Sequence, residues 1–528
     1  MGLIDVLHPG RAPRAVMAPA DRQGELLGGT PRSFAAPGRG EGRIGVVDAG
    51  SNSVRLVVFE GGRRSPAILF NEKLMAGLGA SLARTGRLDP EGRTRAMAAL
   101  TRFAAVAELL HVGALAGIAT AAIRDAEDGP AFRDEVEERT GIRLDIVSGE
   151  DEARLAAQGV LFGMPEADGV AVDLGGASLE FCRIDRGRVG AGVSTPLGPL
   201  RLMGLDGGAR AVGAEIDRHL GGLDRQFRLD GGRLYLVGGS WRALARVQME
   251  RSKYPMKLLH EFCINVDDAR ALGRSVARQT PKGLARIPGL SASRADVLPM
   301  SGRLFAALVE ALAPGEIVVS GFGLREGVCL ANLGAPLRPL DPLLAAARAQ
   351  ERARARAPGF GAELGEWVLR VLEPTDAEEA RLIRAASHLA DVNWRSHPDY
   401  RVDGCWDSVT RSTITNIGHR GRALLGAALT MRYRRARSVL GDYPALRLLD
   451  EAELDRAVQI GLALRAGCTI AGAAPGVLPG VGVSIDSGTL VVTLPPERSE
   501  LAGEEVEKRL AHLAEALGLA SRLEVAKG

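Results

Sequence analysis

One local pattern occurs twice in the 528-residue chain. Residues 44–48 form a short apolar stretch that ends in aspartate, a Gly/Ser/Asn turn follows, and a second apolar stretch begins at Val54. The same order starts again at Gly169, so that Asp48 and Asp173 lie 125 residues apart. Each copy predicts a β-hairpin. Repetition of the whole strand–turn–strand unit predicts two related domains that face each other across a cleft.

Composition limits the classes of protein to which the chain can belong. Its apolar content of 46% suffices for several cores, and its length predicts three or four domains. The chain has 67 Lys and Arg and 64 Asp and Glu, so its net charge is only +3. This charge excludes a globally basic protein that coats nucleic acid, and it predicts no DNA or RNA partner. The five cysteines are scattered without a Cys-x-x-Cys pair, which argues against a zinc ribbon or a disulfide framework.

The sequence also lacks the patterns of membrane and export segments. No apolar run approaches the ~20 residues that a membrane-spanning helix needs. Residues 1–42 mix Gly, Pro and Arg and have no apolar core of the kind that signal peptides carry. We therefore expect a disordered leader at 1–42, no membrane partner and a cytoplasmic location.

The order of predicted elements divides the rest of the chain into four domains. Strands and helices alternate through residues 43–165 and again through residues 166–335. Residues 336–475 are mainly helical and follow a boundary rich in Pro, Ala and Arg, within which residues 351–357 are predicted to form a linker helix. A small α/β domain at residues 476–528 completes an α/β fold.

Both predicted turns are suited to phosphate. Small residues let backbone N–H groups converge on anionic oxygens, while an aspartate at the strand end can hold a divalent cation. The first cradle consists of Asp48, Gly50, Ser51, Asn52, Ser53 and Arg55. The second cradle consists of Asp173, Gly175, Gly176, Ser178 and Glu180. One such turn is typical of an ordinary hairpin, but two copies favour a site for adjacent phosphates.

A helix with an acidic first turn precedes the second cradle. Glu150, Asp151 and Glu152 open this helix. Acids at a helix start usually cap it and complement its dipole. The functional alternative is a carboxylate that orients an attacking water or accepts its proton. The residues alone leave both interpretations open.

At this point the chain resembles the family of exopolyphosphatases and guanosine pentaphosphate phosphohydrolases. The segment at residues 48–56 (DAGSNSVRL) looks like the opening motif of that family, and SGEDEARL at residues 148–155 resembles its catalytic-glutamate motif. DLGGASLE at residues 173–180 resembles its second phosphate loop. Further matching stretches lie at residues 119–126, 237–244, 294–299 and 320–327, so the ordered motifs extend over about residues 43–330.

The resemblance implies a fold and an activity. The implied fold is two ribonuclease-H-like domains of the actin-like ATPase superfamily around a cleft, and the implied reaction is Mg²⁺-dependent release of terminal orthophosphate from inorganic polyphosphate. By motif position, Glu152 would position the attacking water, and Asp48, Asp173 and Glu180 would serve the metal. The phosphate contacts carried over with the motifs, besides the residues of the two turns, are Arg55, Thr120, Arg124, Gly238, Gly239 and Ser240. The family also implies a homodimer.

Two departures concern the second loop, which usually reads Gly-Gly-Gly-Ser-Thr-Glu in the family. Ala177 adds a methyl group where glycine can take positive φ, and Leu179 removes a hydroxyl donor. Both changes predict weaker phosphate binding. They keep open a non-catalytic sensor of polyphosphate or of guanosine pentaphosphate, beside the alternative of a guanosine pentaphosphate phosphohydrolase. A kinase of the same superfamily is less favoured because residues 320–327 match the phosphatase pattern.

The helical region resembles the family's third domain, which is related to metal-dependent HD phosphohydrolases. Its metal set looks degraded here, since His388 has no adjacent aspartate and only His397 and His419 lie nearby. We therefore expect no metal in this domain. The basic stretches at residues 397–401 and 432–437 are interpreted either as guides for a polyanion or as solvated helix faces.

Overall fold

The computed structural model describes residues 42–60, 63–223, 225–435 and 437–527. These residues fall into two compact units. Unit 1 runs to Ser252 and resumes over Leu259–Pro339, and unit 2 comprises Lys253–Leu258 and Leu340–Gly528. The predicted leader lies, apart from Gly42, outside the described residues. This division is coarser than the four predicted domains, which stay a prediction.

The first sheet of unit 1 has the strand order β3-β2-β1-β4-β5. Strands β1, β2 and β3 form an antiparallel meander, and β4 and β5 continue the sheet parallel to β1. The strands are β1 Arg43–Ala49, β2 Ser53–Phe59, β3 Ile68–Met75, β4 Val112–Ala119 and β5 Leu144–Ile146. Parallel strands cannot be joined by a tight turn. Helices therefore connect β3 to β4 and β4 to β5, as the sequence pattern predicts.

The second sheet of unit 1 repeats this topology. Its order is β10-β11-β9-β6-β7-β8, in which β6, β7 and β8 form the meander, β9 and β11 run parallel to β6, and β10 adds an antiparallel edge. The strands are β6 Gly169–Leu174, β7 Leu179–Asp185, β8 Arg188–Thr195, β9 Arg233–Val237, β10 Phe262–Asn265 and β11 Glu316–Val319. Because the meander and the parallel strands recur in the same order, the predicted duplication is confirmed at the level of topology.

Helices connect and cover the strands of unit 1. They are α1 Leu82–Thr85, α2 Pro90–Leu109, α3 Ala121–Asp125, α4 Gly129–Thr140, α5 Gly149–Gly163, α6 Pro199–Met203, α7 Gly208–Gly221, α8 Gly239–Arg251, α9 Val266–Val276, α10 Pro281–Leu284, α11 Ala292–Leu312 and α12 Leu324–Ala331. Helix α2 begins directly after Asp89, whose side chain accepts a hydrogen bond from the Gly92 N–H at 2.8 Å. Ser148 caps α5 in the same way, accepting from the Asp151 N–H at 3.1 Å.

Helix α5 packs between the two sheets of unit 1. Leu155 and Phe162 join a core cluster with the first sheet, and Ala157 and Val160 join a cluster with the second sheet. A Cβ atom at Gly159 would overlap the backbone of the segment that leads into α12, so α5 and α12 approach at backbone distance. This packing fixes the first turn of α5 between the two hairpins.

Unit 2 combines helices with a small sheet. Its elements are α13 Pro342–Arg354, α14 Phe360–Leu372, α15 Ala377–Leu389, α16 Arg401–Thr410, α17 His419–Met431, α18 Glu451–Ala471, β12 Gly482–Asp486, β13 Thr489–Leu494, α19 Glu504–Leu517 and β14 Ala520–Val525. The sheet order is β12-β13-β14, and α19 connects the parallel strands β13 and β14. Short 3₁₀ turns occur at Arg225–Phe227 in unit 1 and in unit 2 at Arg437–Asp442, Pro444–Leu448, Leu478–Gly480 and Pro496–Leu501.

The linker helix predicted at residues 351–357 is wrong. The helix there, α13, begins at Pro342, and its residues Leu343, Ala346 and Ala347 are buried in the core of unit 2. The arginines at its end obscured an apolar face that lies earlier in the sequence. Within the described part of the chain, no helix is long and apolar enough to cross a membrane.

Candidate active site

The two hairpin turns of unit 1 have the same geometry. In the first turn the Gly50 N–H donates to the Ser53 carbonyl at 3.0 Å, and in the second the Gly175 N–H donates to the Ser178 carbonyl at 3.1 Å. Strand register continues the equivalence, because Asp48 pairs with Arg55 and Asp173 pairs with Glu180. The duplicated sequence pattern therefore places an aspartate at the same position beside each turn, with a cation opposite the first aspartate and a carboxylate opposite the second.

The loop that follows each hairpin holds the turn. The Gly77 N–H donates to the Asn52 carbonyl at 3.0 Å, and the Gly198 N–H donates to the Ala177 carbonyl at 3.1 Å. Because these hydrogen bonds come from residues outside the turns, they hold each turn in place without a ligand. A preformed turn is what an anion cradle requires.

The backbone of the second turn accommodates Ala177 without a positive φ. Ala177 is not among the residues of positive φ within the described ranges, so its methyl group costs no backbone strain there. A backbone at negative φ accepts any residue, and the weaker phosphate binding expected from Ala177 stays a prediction. Leu179 is fully buried in β7.

Gly238 lies at a position in this site that requires glycine. Its φ is +107°, and a Cβ atom there would lie 2.7 Å from Oδ1 of Asp173. The bare backbone of Gly238 thus allows the start of α8 to approach the second aspartate. Gly239 is similarly close to the guanidinium of Arg294.

Two adjoining chambers in unit 1 contain most of the predicted site residues. The first, the turn chamber, has a volume of about 250 Å³ and lies against both hairpin turns. The second, the arginine chamber, has a volume of about 180 Å³ and is lined by residues at β1, β6 and α12. Both chambers are lined by Asp48, Ser53, Lys73, Thr120, Glu152, Leu174, Gly239 and Arg294.

The predicted residues are distributed over these chambers as follows. The turn chamber is also lined by Gly50, Ser51, Asn52, Gly175, Gly176, Ser178 and Ser240. The arginine chamber is also lined by Arg55, Asp173 and Gly238. Two predicted site residues, Arg124 and Glu180, are not part of either lining and instead bond to neighbours of the chambers.

Glu152 is a buried carboxylate with a raised pKa. Its side chain is 13% exposed and accepts a hydrogen bond from Nη1 of Arg124 at 3.3 Å. Burial, together with the negative charges of Asp173 and Asp48, raises its pKa to about 7, while Arg124 opposes the rise. A carboxyl group that titrates near neutral pH at the wall of a polar chamber has the properties of a general base.

Two further carboxyl groups share this region. Burial raises the pKa of Asp173 to about 6, against the opposing charges of Arg242 and Arg325. Burial, reinforced by Glu152 and Asp173, raises the pKa of Glu180 well above its usual value, and Glu180 accepts a hydrogen bond from the Ser194 hydroxyl at 3.0 Å. These carboxylates repel one another, so the site gains stability when cationic charge enters it.

Cations that the sequence did not single out complete the arginine chamber. Nη1 of Arg325 lies 2.8 Å from Oδ2 of Asp48, and Nη1 of Arg242 donates to the Gly321 carbonyl at 2.7 Å. Burial and the neighbouring Arg325 and Arg242 lower the pKa of Arg55 to about 10. Guanidinium groups that repel one another in a buried chamber are stabilised by an anion.

The missed cations are Lys73, Arg242, Arg294 and Arg325. The three arginines lie inside the stretches at residues 237–244, 294–299 and 320–327 that carried the family resemblance, which could have assigned them to the site. For Lys73 the signal is strand register, because Lys73 pairs with Arg55 on the adjacent strand β2. Burial also lowers the pKa of Lys73, as do Arg294 and Arg55.

The donor set suits a hard cation that is shared with a substrate. In the described residues no three His, Cys, Asp or Glu side chains are grouped as ligands of one metal ion. Mg²⁺, however, is commonly held by one or two carboxylates and by substrate phosphates. Asp48 and Asp173, which both line the arginine chamber, fit that mode of binding. Glu180 as a further ligand stays a prediction.

Comparison with known proteins identifies the family. The model of the "Ppx/GppA phosphatase family" matches residues 57–335, more than half of the chain. The chain belongs to the Ppx/GppA phosphatase family. A second model, "Exopolyphosphatase, C-terminal", matches residues 343–524. The family resemblance drawn from the sequence motifs is therefore confirmed.

Individual exopolyphosphatases and Ppx/GppA proteins are similar to about half of this chain. Exopolyphosphatase 1 of Mycobacterium tuberculosis is 27% identical over 308 residues, which cover 55% of this chain and 88% of the relative. Exopolyphosphatase 2 of the same organism is 24% identical over 320 residues, covering 55% and 99%. A Ppx/GppA family structure from Aquifex aeolicus is 22% identical with a TM-score of 0.49, covering 55% of this chain and 96% of that one.

Proposed function

We propose that this Ppx/GppA phosphatase is an exopolyphosphatase, which hydrolyses the terminal phosphoanhydride bond of inorganic polyphosphate. The observation that carries the proposal is the position of Glu152, a buried carboxyl group whose pKa is raised to about 7, on the wall shared by two chambers lined with cations. A site for hydrolysis of a polyanion needs both a proton acceptor and fixed positive charge, and these chambers supply both.

The reaction is an in-line attack of water on the terminal phosphorus. The water oxygen forms the new P–O bond, the bridging P–O bond breaks, and the products are orthophosphate and a chain shorter by one phosphate. Glu152 orients the water and accepts its proton. The hydrogen bond from Arg124 opposes protonation of Glu152, so in this proposal Arg124 keeps the carboxylate ionised and in place.

In this proposal the phosphoryl oxygens contact donors from the first hairpin, from the end of β4 and from α11. Ser53 and Thr120 line both chambers, and Arg55 and Arg294 add guanidinium groups that match phosphate geometry. Asp48 and Asp173 would hold Mg²⁺, which when bound neutralises charge on the transferred phosphoryl group. Mg²⁺, a homodimer and a cytoplasmic location remain predictions.

One observation favours a second candidate, the 5′-phosphohydrolase of guanosine pentaphosphate. Two apolar side chains of the turn chamber are unusually exposed, Met75 at 50% and Leu200 at 47%. Exposed apolar groups beside a phosphate cradle can contact a nucleobase, whereas a bare polyphosphate chain gains nothing from them. One enzyme can perform both reactions because the terminal anhydride is chemically the same.

Release of orthophosphate in the presence of Mg²⁺ tests both candidates. Polyphosphate and guanosine pentaphosphate are compared side by side, with Glu152→Gln as the inactive variant. Glu150→Gln is the matched control, because Glu150 lies in the same helical turn but its side chain is 63% exposed. Turnover of neither substrate by the wild-type chain, with binding retained, would overturn the proposal and leave a sensor in its place.

A further inference from the structure

Unit 2 contains a strongly basic cavity that the proposed reaction does not use. The cavity has a volume of about 360 Å³. Its cationic lining consists of Arg356, Arg401, Arg432, Arg465 and Arg509, and we name it the arginine basin. These residues come from or directly follow α13, α16, α17, α18 and α19, so the packing of the whole unit brings them together.

Few carboxylates balance this charge. Arg356 binds Asp391 through two hydrogen bonds of 2.7 and 3.0 Å, and Nη2 of Arg432 lies 3.5 Å from the same carboxylate. Arg509 pairs with Glu505. The guanidinium of Arg465 has no ion pair or hydrogen bond with any residue in the described ranges. Positive charge therefore exceeds negative charge among the residues of the basin.

Arg432 provides an unsatisfied donor. It is 7% exposed, and its buried Nε–H has no hydrogen-bond partner among the described residues. A buried N–H without an acceptor is costly. Burial and the charges of Arg509 and Arg432 lower the pKa of Arg465, while Glu505 opposes this shift.

The aromatic residues of the basin support the arginines. Guanidinium groups lie over the ring of Tyr433, at 5.3 Å for Arg401 and 4.2 Å for Arg432. Arg356 lies 5.8 Å from the ring centre of Trp394. Because each ring already contacts a guanidinium group, it holds that group in a fixed orientation. The basin is therefore built for oxygens of an anion, and recognition through base stacking is disfavoured.

We propose that the arginine basin binds an anion with two or more adjacent phosphate groups, either pyrophosphate or the phosphate tail of a nucleoside diphosphate. Several guanidinium groups together suit a ligand with many phosphate oxygens better than a ligand with a single carboxylate. The volume of the cavity accommodates more than one phosphate. This site is additional to the chambers of unit 1 and does not depend on the reaction proposed for them.

Isothermal titration calorimetry of the full chain with pyrophosphate tests the site. Arg465→Gln removes one fork and leaves no described partner unpaired, so the variant is expected to fold. The matched control is Arg352→Gln, an exposed arginine of α13 outside the basin. We expect the control to keep the affinity of the wild-type chain, and Arg465→Gln to weaken one class of sites about tenfold or more. Arg465→Lys, which keeps the charge without the fork, should fall between them.

The outcomes separate clearly. Unchanged stoichiometry and affinity in Arg465→Gln, with thermal unfolding equal to that of the control, would overturn the proposal. Arg294→Gln, which weakens the chambers of unit 1, should retain the class that Arg465→Gln loses. Guanosine diphosphate is then titrated as the second probe: competition for the Arg465-dependent class supports nucleotide tails as occupants, and absence of competition supports inorganic anions alone.

Discussion

Replacement of Glu152 by glutamine is expected to remove turnover and to stabilise the protein. Glutamine has the same shape and can still accept the hydrogen bond from Arg124, but it cannot accept a proton. Loss of a general base costs roughly 10²-fold or more in rate. The gain in stability arises because burial and the charges of Asp173 and Asp48 raise the pKa of Glu152 from 4.5 to about 7.

The size of this gain follows from proton linkage. Between about pH 4.5 and 7 the folded chain keeps a proton at Glu152 that the unfolded chain has lost, so stability decreases as pH rises through this window. Above pH 7 the full penalty is roughly 3 kcal/mol, since each pKa unit corresponds to about 1.4 kcal/mol. At pH 5 the penalty shrinks to below about 1 kcal/mol. Glutamine, which has no charge, avoids it at every pH.

The assay combines orthophosphate release with thermal unfolding, the latter without divalent cations, at pH 8 and at pH 5. Glu152→Gln should unfold several degrees above the wild-type chain at pH 8 and close to it at pH 5. Glu150→Gln should match the wild type in both measurements. Retained turnover would refute the role of Glu152 as a base. A gain in stability that is equal at both pH values would refute its linkage to the raised pKa.

Three further predictions concern the chambers. Gly238→Ala should destabilise the chain by roughly 1–3 kcal/mol in thermal or urea unfolding because its φ is +107°, whereas Gly221→Ala, at a helix end with open space around it, should change stability little. Arg325→Gln removes the 2.8 Å ion pair with Asp48 and should lower kcat/KM by about tenfold or more in the release assay without unfolding the protein; a twofold change would contradict its assignment to the chamber. Ala177→Gly should alter turnover by less than about threefold, since Ala177 has no positive φ; a large gain in turnover would contradict this reasoning and support the weaker phosphate binding expected from the sequence.

The hairpins of unit 1 could be predicted because their sequence signals lie within a few neighbouring residues. Asp48 and Asp173 each end an apolar strand and precede a turn of small residues, so a few positions define the strand, the turn and the ligand type together. The cap at Asp89 was predictable for the same reason, because proline follows it immediately. Such features depend on neighbours in sequence and not on the rest of the fold.

Features that depend on distant parts of the chain were not predictable in this way. Strand β3 alternates between exposed and half-buried positions, and the Gly-rich β8 lacks a strong apolar pattern, so neither gives a clear strand signal. Lys73, Arg294 and Arg325 lie far apart in sequence and meet only when both sheets have formed. The prediction of a linker helix at residues 351–357 was wrong because the Arg-rich composition there gives no sign of the buried face earlier in α13.

The contact between α5 and α12 has a mechanical consequence. Gly159 and Gly327 have no side chains that would separate these helices, so the two backbones pack directly against each other. Glu152 lies on one helix and Arg325 on the other. Backbone contact between these helices should therefore hold the base and this cation at a constant separation while substrate binds and orthophosphate leaves.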